Sequence, residues 1–174
     1  MLKLRNWQKE TLHKAFQWLV EERKDKHFLI NAAPGAGKTI AACVIAQKLI
    51  ESDEIDRVVV IAPRTEVVNQ WADDFQRITK RFMGKITGKD EDLSGACMDF
   101  CATWSAVKNM VDAMQAVCRA QRVLIICDEH HHAAVKAAWG AGAGSAFGYA
   151  KFALILTGTP IRSDGEESVW LAYD

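Results

Sequence analysis

Val123-Leu124-Ile125-Ile126-Cys127 is an unbroken apolar run that reads as a strand buried on both faces, and the chain contains several such runs. His27-Phe28-Leu29-Ile30 stops at a glycine-rich segment. Arg57 to Ala62, with Val58-Val59-Val60-Ile61 at its centre, stops at Pro63. Phe152 to Leu156 and Met98 to Ala102 are further candidates. Between them lie helical patterns: Trp7 to Val20, Thr39 to Ile50, Thr65 to Phe82 with Glu66 in its first turn, Ser105 to Arg119 capped by Ser105, and Ala133 to Ala138. Gly84 to Gly95 reads as loop or weak strand. Strands buried on both faces and alternating with helices require an α/β fold, a mostly parallel sheet covered by helices on each side.

The chain has 174 residues, which suits one domain spanning 1–174 with a real core. An apolar fraction of 49% and a charged fraction of 25% are those of a globular protein. The formal net charge is zero, so any contact with nucleic acid must come from a local patch. Cys43, Cys97, Cys101, Cys118 and Cys127 form no disulfide spacing, which favours buried thiols in a reducing cytoplasm. Cys97 and Cys101 lack a second pair at zinc spacing. No signal peptide and no run of membrane-spanning length is present, so the expectation is a cytoplasmic protein with no membrane partner.

Two of the apolar runs end in segments that carry chemistry. Ala33-Pro34-Gly35-Ala36-Gly37-Lys38-Thr39 matches the end of the phosphate-loop pattern G-x-x-x-x-G-K-[ST], with Ala32 at the first glycine position. Gly35 and Gly37 let the backbone curl so that successive N–H groups face phosphate oxygens, and the helix that follows adds its positive end. Pro34 and Ala36 belong to the same cradle. Lys38 is placed to reach β- and γ-phosphates, and the Thr39 hydroxyl to ligate Mg²⁺. The rival reading is a plain glycine-rich turn.

Asp128 and Glu129 end the strongest strand, at the carboxyl edge of the sheet beside the phosphate loop. Asp128 suits Mg²⁺ held through its water shell, and Glu129 suits a base that orients and deprotonates a water. His130, His131 and His132 invite a zinc reading, but consecutive positions do not share a helix face.

These residues resemble the first RecA-like domain of superfamily 2 DExH-type helicases and translocases. Leu4-Arg5-Asn6-Trp7-Gln8 is similar to the family's Q motif, which implies that Gln8, with Arg5 beside it, reads the adenine of ATP. Ala62-Pro63-Arg64-Thr65, continuing to Asn69-Gln70-Trp71, resembles motif Ia, which touches the nucleic-acid backbone. Ala102-Thr103-Trp104-Ser105 resembles a later backbone-contacting motif. Asp128-Glu129-His130-His131 resembles motif II, and Thr157-Gly158-Thr159-Pro160 resembles motif III. The resemblance implies motor coupling through His131, Thr157, Gly158 and Thr159, and strand contacts by Arg64, Thr65, Thr103 and Arg162. For each of those four the alternative is a helix cap or solvated charge. Trp7, Trp71 and Trp104 could stack on bases, yet each sits in a pattern that suits a core.

The implied activity is hydrolysis of Mg-ATP by Lys38, Asp128 and Glu129, driving movement on nucleic acid. The Asp-Glu-x-His-His form and the segment Thr157 to Gly165 resemble excision-repair, phage recombination and restriction motors, which favours DNA over RNA. The family's motors have a second RecA-like domain, and its motifs are not found here; Ser163 to Asp174 reads as the start of a linker. An RNA helicase domain is one alternative. A nucleotide-dependent interaction module without motor activity is another. A transporter ATPase, GTPase or small-molecule kinase is a third, but Leu93-Ser94-Gly95 and Thr87-Gly88-Lys89-Asp90 lack the signatures those classes need.

Overall fold

In a computed structural model the described residues are 3–24, 26–31, 37–87, 99–103, 106, 107, 110–128 and 149–157. All the apolar runs become strands: β1 (His27–Asn31), β2 (Arg57–Ala62), β4 (Asp99–Thr103), β5 (Val123–Asp128) and β6 (Phe152–Thr157), joined by β3 (Met83–Ile86). They form one six-stranded sheet in the order β1-β6-β5-β2-β4-β3. Every neighbouring pair is parallel. The helices are α1 (Asn6–Phe16), α2 (Lys38–Glu51), α3 (Thr65–Thr79) and α4 (Val111–Ala120).

Side chains alternate across a strand, so the sheet divides its apolar residues between two cores. Phe28, Ile30, Val58, Val60, Leu124, Ile126, Leu154 and Leu156 face one way, with buried residues of α1, α2 and α3. Val59, Ile61, Ile125, Cys127, Ala153 and Ile155 face the other, with Met114 and Cys118 of α4. On α3 the buried positions are Val68, Trp71, Ala72, Phe75 and Thr79, one helical stripe. α2 is buried at Ala41, Ala42, Cys43, Ile45, Ala46 and Leu49, and its alanines let α1 and α3 pack close on either side.

Three expectations change. The first helix becomes π-helical over Gln17–Glu21. α3 stops at Thr79 rather than Phe82, because Thr79 Oγ1 donates back to the Phe75 carbonyl at 2.7 Å and Lys80 turns to φ +64°. Chain beyond it is thereby released to form β3, whose residues from Gly84 on fall in the stretch read as loop or weak strand. The helix expected over Ser105 to Arg119 is interrupted at Met110, which has φ −133° and ψ 33°, and α4 begins after it. Met110 is buried, so its side chain is drawn into the second core at the expense of helical continuity. The helix expected over Ala133 to Ala138 lies outside the described residues.

The amino ends of the strands are tied by charge. Asp99, 1% exposed, accepts from the Val58 N–H at 2.9 Å and from Arg81 Nε at 2.7 Å. Burial pushes the Asp99 carboxyl above its usual range, against the pull of the Val58 N–H and Arg81. Arg122 pairs with Asp56 at 2.8 Å and Asp53 at 2.9 Å, and Lys151 with Glu54 at 3.1 Å. Hydrogen bonds from the Arg122 side chain, then its backbone N–H, lower the Asp56 carboxyl to about 2. Burial raises the thiols of Cys43, Cys101 and Cys127, and pushes Cys118 up to about 11. All four are unreactive core residues at neutral pH.

Replacing Asp99 by Ala should lower the unfolding free energy by about 1–3 kcal/mol in urea titrations, since the Val58 N–H loses its acceptor and Arg81 its anion. Asp56 titrates lower in the folded state than its ordinary 3.8, so its pairing stabilises above about pH 4 and fades as pH falls toward 2. Acid unfolding of Asp56→Asn should therefore be less steep than that of the wild type between those pH values.

Candidate nucleotide-binding site

The carboxyl ends of β1, β6 and β5 are level. In the parallel register Asn31 stands opposite Thr157, and Leu156 opposite Asp128. The phosphate-loop segment leaves β1, the acidic segment leaves β5, and the motif III segment leaves the strand between them. The carboxyl ends of parallel strands are where α/β sheets bind ligands.

Asp128 has the parity of Leu124 and Ile126, so it projects onto the face covered by α2 and α3. There it meets Lys38, the first residue of α2. Lys38 Nζ lies 3.6 Å from Asp128 Oδ1, and both side chains are buried. The other carboxylate oxygen, Oδ2, accepts a hydrogen bond from the indole Nε1 of Trp71 at 2.7 Å. Thr39, half-buried, follows Lys38 in the first turn of α2. An ammonium, a hydroxyl and a fixed carboxylate are therefore gathered at one helix N-terminus, a donor set able to hold a polyphosphate with a divalent ion.

Gly37 ends the phosphate-loop segment at φ +89°, a conformation that favours glycine. Gln8 of α1 packs against it. The Gln8 side chain is 3% exposed; its Oε1 accepts the Arg5 N–H at 2.7 Å, and its Nε2 donates to the Gly37 carbonyl at 3.0 Å. Gln8 thus ties the start of α1 to the start of α2. An amide retains a second N–H and a second lone pair, so this bridge is compatible with reading a base edge. Arg5 is the N-cap of α1 and its side chain is exposed.

The nucleic-acid candidates separate. Arg64 and Thr65 are exposed at the N-terminus of α3, where Arg64 pairs with Glu66 at 3.6 Å. Thr103 is buried, and its hydroxyl accepts the Ala106 N–H at 3.2 Å, the cap role. It supports that edge of the sheet and is not displayed on it. Pro34, Gly35, Ala36, Glu129, His131, Gly158, Thr159 and Arg162 lie outside the described residues. Trp71 is core, 1% exposed, and Trp7 packs partly buried beside the same core. Neither the Gln8 bridge nor the Trp71 bond has a local signal: the partners are 29 and 57 positions apart.

The all-parallel six-stranded sheet and its helices have the RecA-like fold of helicase structures. The chain belongs to the family described as type III restriction enzyme, res subunit, whose model matches residues 1–162. It is 31% identical over 170 residues to the uncharacterized protein Rv2917 of Mycobacterium tuberculosis, covering 98% of this chain and 27% of that one. It is 30% identical over 174 residues to ML1624 of Mycobacterium leprae, covering 98% and 28%. The chain thus spans about a quarter of these relatives' length. Among solved structures it is similar to UvsW helicase from bacteriophage T4, with TM-score 0.69 and 19% identity over 99% of this chain and 59% of that one. A nuclease-deletion mutant of the Type ISP restriction-modification enzyme LlaGI, in complex with a DNA substrate mimic, gives TM-score 0.70 and 16% identity over 99% and 19%. The Sulfolobus solfataricus SWI2/SNF2 ATPase core with dsDNA gives 0.61 and 18% over 97% and 34%. Among the described residues no helix is long and apolar enough to cross a membrane.

A Cβ at position 37 would stand 2.6 Å from Gln8 Nε2 on a backbone that already disfavours it. Gly37→Ala should therefore lower the unfolding midpoint and weaken nucleotide binding, both measurable on one preparation by thermal melts and a fluorescent ATP analogue. Gly37→Ala combined with Gln8→Ala should recover part of the stability loss.

Proposed function

We propose that the chain is the ATP-binding half of an ATP-dependent DNA helicase or translocase, whose hydrolysis of Mg-ATP is completed by a second RecA-like domain. The observation that carries this reading is the buried approach of Lys38 to Asp128 at the level carboxyl ends of β1, β6 and β5. Residues 1–174 would form one such domain. The DNA preference draws on the DNA-bound neighbours and on the motif forms near Asp128 and Thr157.

Asp128 and the Thr39 hydroxyl would hold the magnesium ion, which would supply positive charge to offset the negative charge of the phosphates. The donor set fits: a buried carboxylate fixed on one side and a hydroxyl at the helix start. Lys38 would leave its ion pair to bind phosphate oxygens, while the N–H groups of Gly35, Ala36 and Gly37 would cradle them, next to Pro34. Gln8 would contact the adenine, with Arg5 beside it. Glu129 would accept the proton of the attacking water. His131, Thr157, Gly158 and Thr159 would link the nucleotide to the strand site, where Arg64, Thr65 and Arg162 would meet phosphates over the support of Thr103.

Lys38→Ala should weaken ATP binding roughly 10- to 100-fold, the loss of charge-assisted bonds worth about 1.5–3 kcal/mol. Glu129→Gln should spare binding yet cut turnover by about 10²–10⁴-fold. ATPase assays of the motor with DNA, RNA or neither decide the partner: stimulation by RNA alone would overturn the DNA reading. Brisk DNA-stimulated turnover by residues 1–174 as a monomer would overturn the need for a second domain.

A further inference from the structure

We propose that Trp71 is a positioning residue for Asp128: its indole N–H fixes the orientation of the carboxylate assigned above to the magnesium ion. The inference rests on that assignment. As a sequence position Trp71 looks like packing, and its body is packed, on the stripe of α3 that faces the sheet. Packing alone needs only an apolar side chain. A buried Trp also needs a partner for its N–H, and here that partner is no nearby backbone carbonyl but the terminal residue of β5, at 2.7 Å.

The bond has a defined consequence. An Asp carboxylate turns readily about its last torsion. Held at Oδ2 by Trp71, it presents Oδ1 toward Lys38 Nζ, 3.6 Å away. The choice of donor matters as much as its place. An Arg or Lys at this spot would neutralise the carboxylate and compete with a cation. A neutral N–H stabilises the buried anion and leaves its formal charge to act on the ligand. Trp71 touches neither phosphate nor water in this scheme; it acts through Asp128, as partners of metal ligands do.

The test is a Mg²⁺ titration of the full chain's affinity for a fluorescent non-hydrolysable ATP analogue. Three proteins are compared with the wild type: Trp71→Phe, Asp128→Asn, and a chain with β-(3-benzothienyl)alanine at position 71. The last keeps the bicyclic shape and lacks the N–H. We expect the benzothienyl protein to fold with a somewhat lowered unfolding midpoint, since Asp128 loses one buried donor, and to keep the wild-type affinity in EDTA. Its half-saturating Mg²⁺ should rise roughly 10-fold or more, the usual cost of losing a partner that orients a metal ligand. Trp71→Phe should shift the same way if it folds. Wild-type Mg²⁺ response in the benzothienyl protein, with or without a lowered unfolding midpoint, would reduce Trp71 to packing and overturn the proposal. If Asp128→Asn abolishes the response while both Trp71 replacements keep it, this inference fails alone. Nucleotide binding by the wild type that ignores Mg²⁺ would overturn the metal assignment beneath it.

Discussion

The parallel register that runs from β1 through β6 to β5 is the constraint on which the rest depends. It sets Asn31 level with Thr157, and Leu156 level with Asp128, so three chemically distinct segments leave the sheet side by side. A slip of one residue in β5 would turn Asp128 to the α4 face, away from Lys38. The core enforces the register, because the same slip would exchange Leu124 and Ile126 between two packed faces.

The two ends of the sheet are specialised. At the amino ends, Asp99 with Arg81, Asp56 with Arg122, and Glu54 with Lys151 tie the strands by complementary charge. At the carboxyl ends Lys38 pairs with Asp128, buried and longer than a hydrogen bond. Breaking a buried pair is costly, but exchanging its partner for a stronger one is not. In the proposed function a triphosphate would offer Lys38 that exchange. α3 joins the site to its surroundings, since it starts beside the exposed Arg64 and carries Trp71 two turns further on.

Much of the candidate site was legible because phosphate chemistry demands particular residues in a local order. Gly37-Lys38-Thr39 follows a strand and opens a helix, as its pattern requires, and Asp128 closes the strongest strand. Less legible were features decided by competition between local signals and packing. The helical pattern of Ser105 to Arg119 hides the break at Met110, whose side chain gains burial by leaving the helix. The periodicity of α3 runs on past Thr79, where a side-chain bond to the Phe75 carbonyl and the pull of Asp99 on Arg81 end it. Thr103 shows how a motif residue can be spent on structure, capping a turn where a displayed hydroxyl was one expectation.

By itself the sequence determined the class of fold, because continuous β-branched runs have no stable place except between two covered faces. It also determined the candidate chemistry, because a phosphate loop is written in consecutive residues. Tertiary structure decided which side chains share a space. Gln8 reaches Gly37 across 29 positions and Trp71 reaches Asp128 across 57, distances in sequence over which spacing carries no information. Those contacts exist because α1 and α3 flank α2 on one face, and because strand parity points Asp128 to that same face.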